Sequence, residues 1–256
     1  MDAVEELFAF YQDYSGEKGF LGQTELKILI PYFDIVKTER PIIFMQGAIH
    51  GREYITGHLL IKEVEYLNKV LPFGRVVIAP IVNIDGVKIA LKDSRFKCNA
   101  KGVDLNTNFP AKFGQGSLNK RQKGFSDFIG DYPLSESESR ALRRFTNLLL
   151  PDATFSFHAK GEEIYYDFFD DELAKKHRVY ANELSKKSGY KIREKLASAG
   201  GYKDYILSTL KCPSFTIEVG NDKLSHPIKR SCSFFIFELI KDFPLIVMDL
   251  LKKQNG

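Results

Sequence analysis

Several features that would mark a specialised class are scarce in this sequence. Cysteine is one. Only Cys98, Cys212 and Cys232 occur, widely spaced and odd in number. No two form a Cys-x-x-Cys pair, which argues against a thiolate zinc cluster. Reduced thiols in a cytosol are the expectation, with all three serving as packing residues. Long apolar runs are also missing. Segments 76–79 and 245–248 are typical, far short of the ~20 residues that span a bilayer. The N-terminus carries Asp2, Glu5 and Glu6, where a secretory signal would be basic and then apolar, so a cytoplasmic location is expected. Charge of one sign is in small excess: 37 Lys+Arg against 33 Asp+Glu gives +4. The basic clusters (Lys120-Arg121, Lys175-Lys176-His177-Arg178, Lys186-Lys187) are short. A phosphate-tracking surface shows a concentrated basic stripe, so no nucleic acid is expected as a partner, and no membrane. Repeats, low-complexity tracts and linker-like stretches are absent. The chain therefore reads as one domain over 1–256, long enough to bury a core without disulfide or metal staples. Nothing in the sequence speaks to oligomeric state.

Apolar, β-favouring runs recur at 26–33, 41–46, 76–82, 153–157, 164–168 and 214–219; they predict strands, several buried on both faces. Helical patterns fall at 3–14, 53–70, 136–150, 171–188, 202–210 and 233–251, and Pro244 predicts a kink or break in the last. Ser135 and Glu138 read as a capping box at the start of the 136–150 helix. The alternation implies an α/β fold with a mixed, mostly parallel twisted sheet and helices on both faces. Such sheets bind ligands beyond the carboxyl ends of their strands. Segment 83–131 shows little regular pattern, and long irregular loops in compact domains are usually functional.

The chemistry starts at Gly47-Ala48-Ile49-His50-Gly51-Arg52-Glu53, between an expected strand and an expected helix. The three-residue spacing at such a turn lets the His50 imidazole and the Glu53 carboxylate converge on one cation. Nitrogen and oxygen donors suit Zn²⁺, and a catalytic site needs a third protein ligand. His158 supplies it best, because it ends the strand at 153–157. His58 reads as a packed or surface helix residue, His177 as part of a solvated helix face, and His226 carries no further signal. Glu218 closes the apolar strand 214–219, where an unpartnered carboxylate is costly. Beside a metal it reads as a general base.

These segments resemble the zinc carboxypeptidase family. The matches are Gly47 to Glu53, Asn83-Ile84-Asp85-Gly86, Gly102-Val103-Asp104-Leu105-Asn106-Thr107-Asn108-Phe109, Ser156-Phe157-His158 through Gly161-Glu162, and Thr216-Ile217-Glu218-Val219-Gly220. They occur in the family's order from about Gly22 to Asn221. The resemblance implies one zinc per chain on His50, Glu53 and His158, Glu218 as general base and acid, and an eight-stranded mixed sheet.

The chain also departs from that pattern. Thr107 stands where the family usually has an Arg that grips a substrate's terminal carboxylate, and a hydroxyl cannot replace the guanidinium fork. Asn106 remains as a substrate contact. The family's oxyanion-stabilising Arg has Lys97 or Arg95 as its nearest counterparts, with Lys97 favoured by spacing. The family's mobile Tyr is replaced by Leu196, ahead of Gly200-Gly201, so Tyr202 is a candidate to supply that contact. Lys203, two residues after the glycines, would favour an anionic group on the leaving residue.

Within the family the chain is most similar to bacterial peptidases that cut the γ-D-glutamyl bond to a diamino acid. The similar segments are Lys97-Cys98-Asn99-Ala100-Lys101 running into the Gly-Val-Asp motif, Phe109-Pro110-Ala111, Gly161-Glu162-Glu163-Ile164-Tyr165-Tyr166, and Gly200-Gly201-Tyr202-Lys203-Asp204. The expected activity is zinc-dependent hydrolysis of an amide bond in a murein-derived peptide. The alternatives are a carboxypeptidase acting on acidic C-termini and an inactive module that binds cell-wall peptide.

Overall fold

Apolar β-runs and amphipathic helical runs assemble here around one sheet. The computed structural model describes residues 1–124, 126–168, 171–194 and 199–255. Its strands are β1 (Glu17–Gln23), β2 (Leu29–Val36), β3 (Ile42–Gln46), β4 (Arg75–Ala79), β5 (Ala153–His158), β6 (Glu163–Tyr165), β7 (Lys191–Arg193) and β8 (Ser214–Glu218). The helices are α1 (Ala3–Asp13), α2 (Ile55–Val70), α3 (Ile84–Ala90), α4 (Ser137–Leu149), α5 (Asp171–Ser188), α6 (Tyr202–Thr209), α7 (Ser233–Ile240) and α8 (Phe243–Asn255). The strands form one eight-stranded sheet in the order β1-β2-β4-β3-β5-β8-β6-β7. Strands β4, β3, β5 and β8 run parallel, β1 and β2 join antiparallel at one side, and β6 joins β8 antiparallel at the other.

Every residue of β3 and β5 is buried, as expected of parallel strands covered on both faces. Register shows how the helices divide. Met45 of β3 lies beside Phe155 of β5, so Phe155 and Phe44 point to opposite faces. Phe44 packs against Phe145 of α4 and Tyr202 of α6. Phe155 packs against Phe157, Phe215 and Phe243 of α8. Helices α4 and α6 therefore cover one face and α8 the other.

Some expectations change. The run at 26–33 is interrupted by a turn, and its strand begins only at Leu29. Strands β1 and β7 escape sequence reading because they lie at the sheet edges, where half-polar residues suffice. Segment 83–131 contains α3, started by Asn83, whose side chain accepts from the Gly86 backbone N–H. The capping box at Ser135 and Glu138 does not form. Glu136 occupies the cap position of α4. The Ser135 hydroxyl donates to Glu136 instead, and Glu138 is buried as an acceptor for the Glu25 backbone and Asn99. The 233–251 helix does break: α7 ends at Ile240 and Pro244 sits in the first turn of α8, where its missing N–H costs nothing. All three cysteines are free thiols. No helix among the described residues is long and apolar enough to cross a membrane.

Candidate active site

The carboxyl ends of β3, β5 and β8 meet at one cavity. After β3 the chain turns through His50 and a short 3-10 segment, Gly51–Glu53, before α2 begins. That turn is tied down closely. A Cβ on Gly51 would lie 2.4 Å from the Gly86 carbonyl oxygen, so only glycine lets α3 approach. The Gly51 N–H donates to the Lys97 carbonyl at 2.9 Å. The Asn83 amide donates to the carbonyls of Ile49 and Cys98, each at 3.0 Å. One asparagine thus joins the His50 turn to the Lys97 loop.

His50, Glu53 and His158 are all buried, and their donor atoms face one another. His50 Nδ1 lies 2.9 Å from Glu53 Oε1 and 3.1 Å from His158 Nδ1, and His158 Nδ1 lies 3.2 Å from Glu53 Oε2. The other ring nitrogens are engaged behind them. His50 Nε2 lies 3.1 Å from Asp104 Oδ1, and His158 Nε2 lies 2.9 Å from Ser156 Oγ. Against the cost of its burial, Lys97 and His50 hold the Asp104 carboxyl well below the usual carboxylate range. Asp104 is therefore an acceptor, and His50 keeps a proton on Nε2 for it. Against the cost of burial, the Glu53 and Asp104 carboxylates raise the His50 imidazole above its ordinary range; a divalent cation held here would replace the proton on Nδ1. Burial lowers His158, keeping it a neutral imidazole. Two imidazole nitrogens and a carboxylate oxygen converging in this way fit a divalent cation. The set has the N,O,N donor types of a three-ligand zinc site.

Glu218 stands next to this cluster, because register pairs it with His158 across β5 and β8 and with Glu163 across β6 and β8. Desolvation and the nearby Glu53 carboxylate push its carboxyl up to about 8. The cavity wall includes His50, His158, Glu218, Lys97, Thr107 and Lys203. Its internal volume is about 150 Å³, room for a residue-sized group.

The other expected site residues divide. Lys97 lines the cavity, with Nζ 2.8 Å from Asp104 Oδ2. Burial pulls its ammonium down, but the Asp104, Glu53 and Asp127 carboxylates more than offset this and hold it above its ordinary range. Arg95 is turned to solvent on Asp93 and does not line the cavity. Of the two cations, only Lys97 is therefore in place. Asn106 lines the cavity, and its side-chain oxygen accepts from the Tyr202 N–H at 3.0 Å. Thr107 lines it too, but its hydroxyl is spent on the Asp104 carbonyl at 2.8 Å. Lys203 is buried rather than solvated and pairs with Asp204 Oδ1 at 2.7 Å. The Tyr202 ring does not reach the cavity. It is buried between Phe44 and Phe109, with its hydroxyl on Thr146. Leu196 lies outside the described residues. His177 is buried against Tyr180 rather than on a solvated face, and His58 is buried on Glu6.

Sequence reading gave no role to Asp104, Asp127, Tyr165 or Asp204, all of which line the cavity. Asp104 was detectable in principle, since a ligating histidine usually presents its second nitrogen to a carboxylate. Nothing in the sequence marks Asp127.

Comparison with known proteins agrees with this geometry. The zinc carboxypeptidase family model matches residues 34–235, and the chain belongs to that family. Its members depend on zinc, and the His50–Glu53–His158 cluster is able to bind a metal. The chain is similar to gamma-D-glutamyl-L-diamino acid endopeptidase 1 of Lysinibacillus sphaericus, 31% identical over 175 residues that cover 60% of this chain and 44% of that protein. In fold it resembles bovine thrombin-activatable fibrinolysis inhibitor in complex with tick carboxypeptidase inhibitor. The TM-score is 0.84 at 21% identity, covering 98% of this chain and 95% of that one. It also resembles murein-tripeptide amidase MpaA of Escherichia coli O157, with a TM-score of 0.66 at 19% identity, covering 91% and 92%. The chain spans about half the length of the curated relatives it matches.

Proposed function

We propose that this protein is a zinc-dependent amide hydrolase that cuts the γ-D-glutamyl–diamino acid bond of murein-derived peptides. The observation that carries the reading is the convergence of His50 Nδ1, His158 Nδ1 and Glu53 beside Glu218 at the strand ends. His50, Glu53 and His158 would hold the metal, which supplies Lewis acidity and lowers the pKa of a water towards ~7.

The chain's own groups do the rest. Glu218, favoured as the ionised carboxylate by the charge of a cation held on His50, Glu53 and His158, takes a proton from the attacking water as the carbon–oxygen bond forms. It returns that proton to the amine nitrogen as the carbon–nitrogen bond breaks, leaving a carboxylate and a free amine. Lys97 Nζ donates to the oxygen that gains charge in the tetrahedral species. Asn106, with its oxygen already held by Tyr202, has its amide nitrogen left for substrate. Lys203 faces the leaving residue and favours a carboxylate there. Thr107 offers no fork for an ordinary terminal carboxylate, which supports a substrate read through other groups. The name of the Lysinibacillus relative points to the same bond.

The second reading, a carboxypeptidase for acidic C-termini, rests on the same Lys203. A pure binding module has no use for Glu218. The test is mass-spectrometric product analysis of the zinc-loaded protein on a γ-D-glutamyl-diaminopimelate peptide and on a library of acidic C-termini. The expected result is cleavage of the γ-glutamyl bond. Release of C-terminal acidic residues alone would favour the second reading. Glu218→Gln should retain zinc and lose turnover on the order of 10²–10⁴-fold; full activity in that variant would remove Glu218 from the mechanism.

A further inference from the structure

We infer that Asp127 is a positioning residue for Lys97, holding the ammonium forward at the cavity wall against the pull of Asp104. The inference rests on Lys97 as the oxyanion cation. Lys97 has a single ammonium where the family usually has a planar fork, so its direction is set by its surroundings rather than by its own shape. Asp104 draws Nζ to 2.8 Å from one side, and that carboxylate is anchored to His50. Alone, it would leave the ammonium paired to that anchored carboxylate. Asp127 Oδ1 counters from another direction at 3.6 Å.

The construction around Asp127 leaves that oxygen available. Oδ2 is committed, accepting from Ser126 Oγ at 2.8 Å and from Lys120 Nζ at 2.9 Å. The backbone N–H donates to Asp104 Oδ2 at 3.2 Å, so the two carboxylates are set relative to each other. Phe128 closes the frame: its carbonyl accepts from the Asp104 N–H at 2.7 Å. Asp127 holds a left-handed backbone with φ of 64°, which Asp tolerates better than most residues. A surface pair such as Lys120–Asp127 adds little stability by itself, and Asp127 lies on the cavity wall. An ammonium has three donors. Asp104 takes one of them, the longer-range pull of Asp127 Oδ1 at 3.6 Å sets the side to which the head group leans, and a donor is left for a substrate oxygen.

The test compares Asp127→Asn, Lys97→Met and the double variant. Asp127→Asn should lower kcat about tenfold, the scale of a small misplacement of a catalytic group, with KM within about twofold. Zinc content and Tm should stay at wild-type levels. In the Lys97→Met background, Asp127→Asn should cost no further activity. An equal loss in both backgrounds, or zinc lost from Asp127→Asn, overturns the inference. Crystals of Asp127→Asn should show Nζ still paired with Asp104 but swung away from residue 127 and off the cavity wall, and an unmoved Nζ overturns it whatever the turnover. If the wild type cleaves no peptide, the reading of the function falls, while the crystal comparison still decides the role of Asp127.

Discussion

At the scale of single residues, the site is a set of charges placed where each one changes its neighbour. Glu53 holds two histidines, Asp104 fixes the proton of one of them, and Lys97 is shared between Asp104 and Asp127. The ligand cluster and Glu218 were legible in the sequence because each follows or ends an apolar strand. Spacing favours Lys97 over Arg95, and Lys97 is the one at the cavity. Arg95 and Lys97 differ by two positions, and only the loop path sends one to Asp93 and the other to the cavity. Tyr202 misled for a related reason: its place after two glycines says nothing of which way the first turn of α6 faces. Lys203 carries the specificity prediction. Lys203→Ala should weaken cleavage before a residue with an acidic side chain ten- to hundredfold relative to a neutral one, the scale of a charge-assisted hydrogen bond of roughly 1.5–3 kcal/mol. Relative rates on paired substrates are the measurement, because loss of a buried ion-pair partner also lowers stability. Equal losses on both substrates would count against the pocket role.

At the scale of elements, turns place the chemistry. The His50 turn is held by α3, and α3 came from a stretch with no strong periodicity, because seven residues give too little pattern to read. Gly51→Ala should force apart Gly51 and the Gly86 carbonyl, at a cost of about 1–3 kcal/mol in stability. The same displacement moves Glu53, so zinc affinity should fall as well. Competition with a chelator measures it; unchanged affinity would show that the turn tolerates the shift. The capping-box expectation failed at this scale because Ser135 and Glu138 have better partners in tertiary structure, Glu136 and Asn108 for one, Asn99 and Glu25 for the other. A local pattern gives way when buried donors elsewhere require its acceptors.

At the scale of the whole molecule, the sheet was the most legible feature. The fully buried strands β3 and β5 announce themselves by apolar, β-favouring runs, while the edge strands do not. The protein also carries acidic groups buried away from the active site, and these give its stability a direction with pH. Burial pushes the Glu138 carboxyl up to about 7, with Glu25 adding to it. Below about 4.5 both folded and unfolded chains hold the proton, so Glu138 costs nothing. Between about 4.5 and 7 the unfolded chain gives it up while the folded chain keeps it. Stability therefore falls as pH rises through that window, by roughly 1–3 kcal/mol from this group. Urea unfolding of wild type and Glu138→Gln across this range tests it. The variant should lose this part of the slope, and parallel curves would contradict the assignment.

All of these scales meet in one claim, that two histidines and a glutamate at the strand ends hold a catalytic zinc ion. The direct measurement is the metal-to-protein ratio, by mass spectrometry of the purified, dialysed protein and of His158→Ala. The account predicts close to one zinc per chain in the wild type and loss of most of it in the variant, with the fold retained. A wild type that takes up no zinc from solution, or a His158→Ala protein that binds it as well as the wild type, would contradict it.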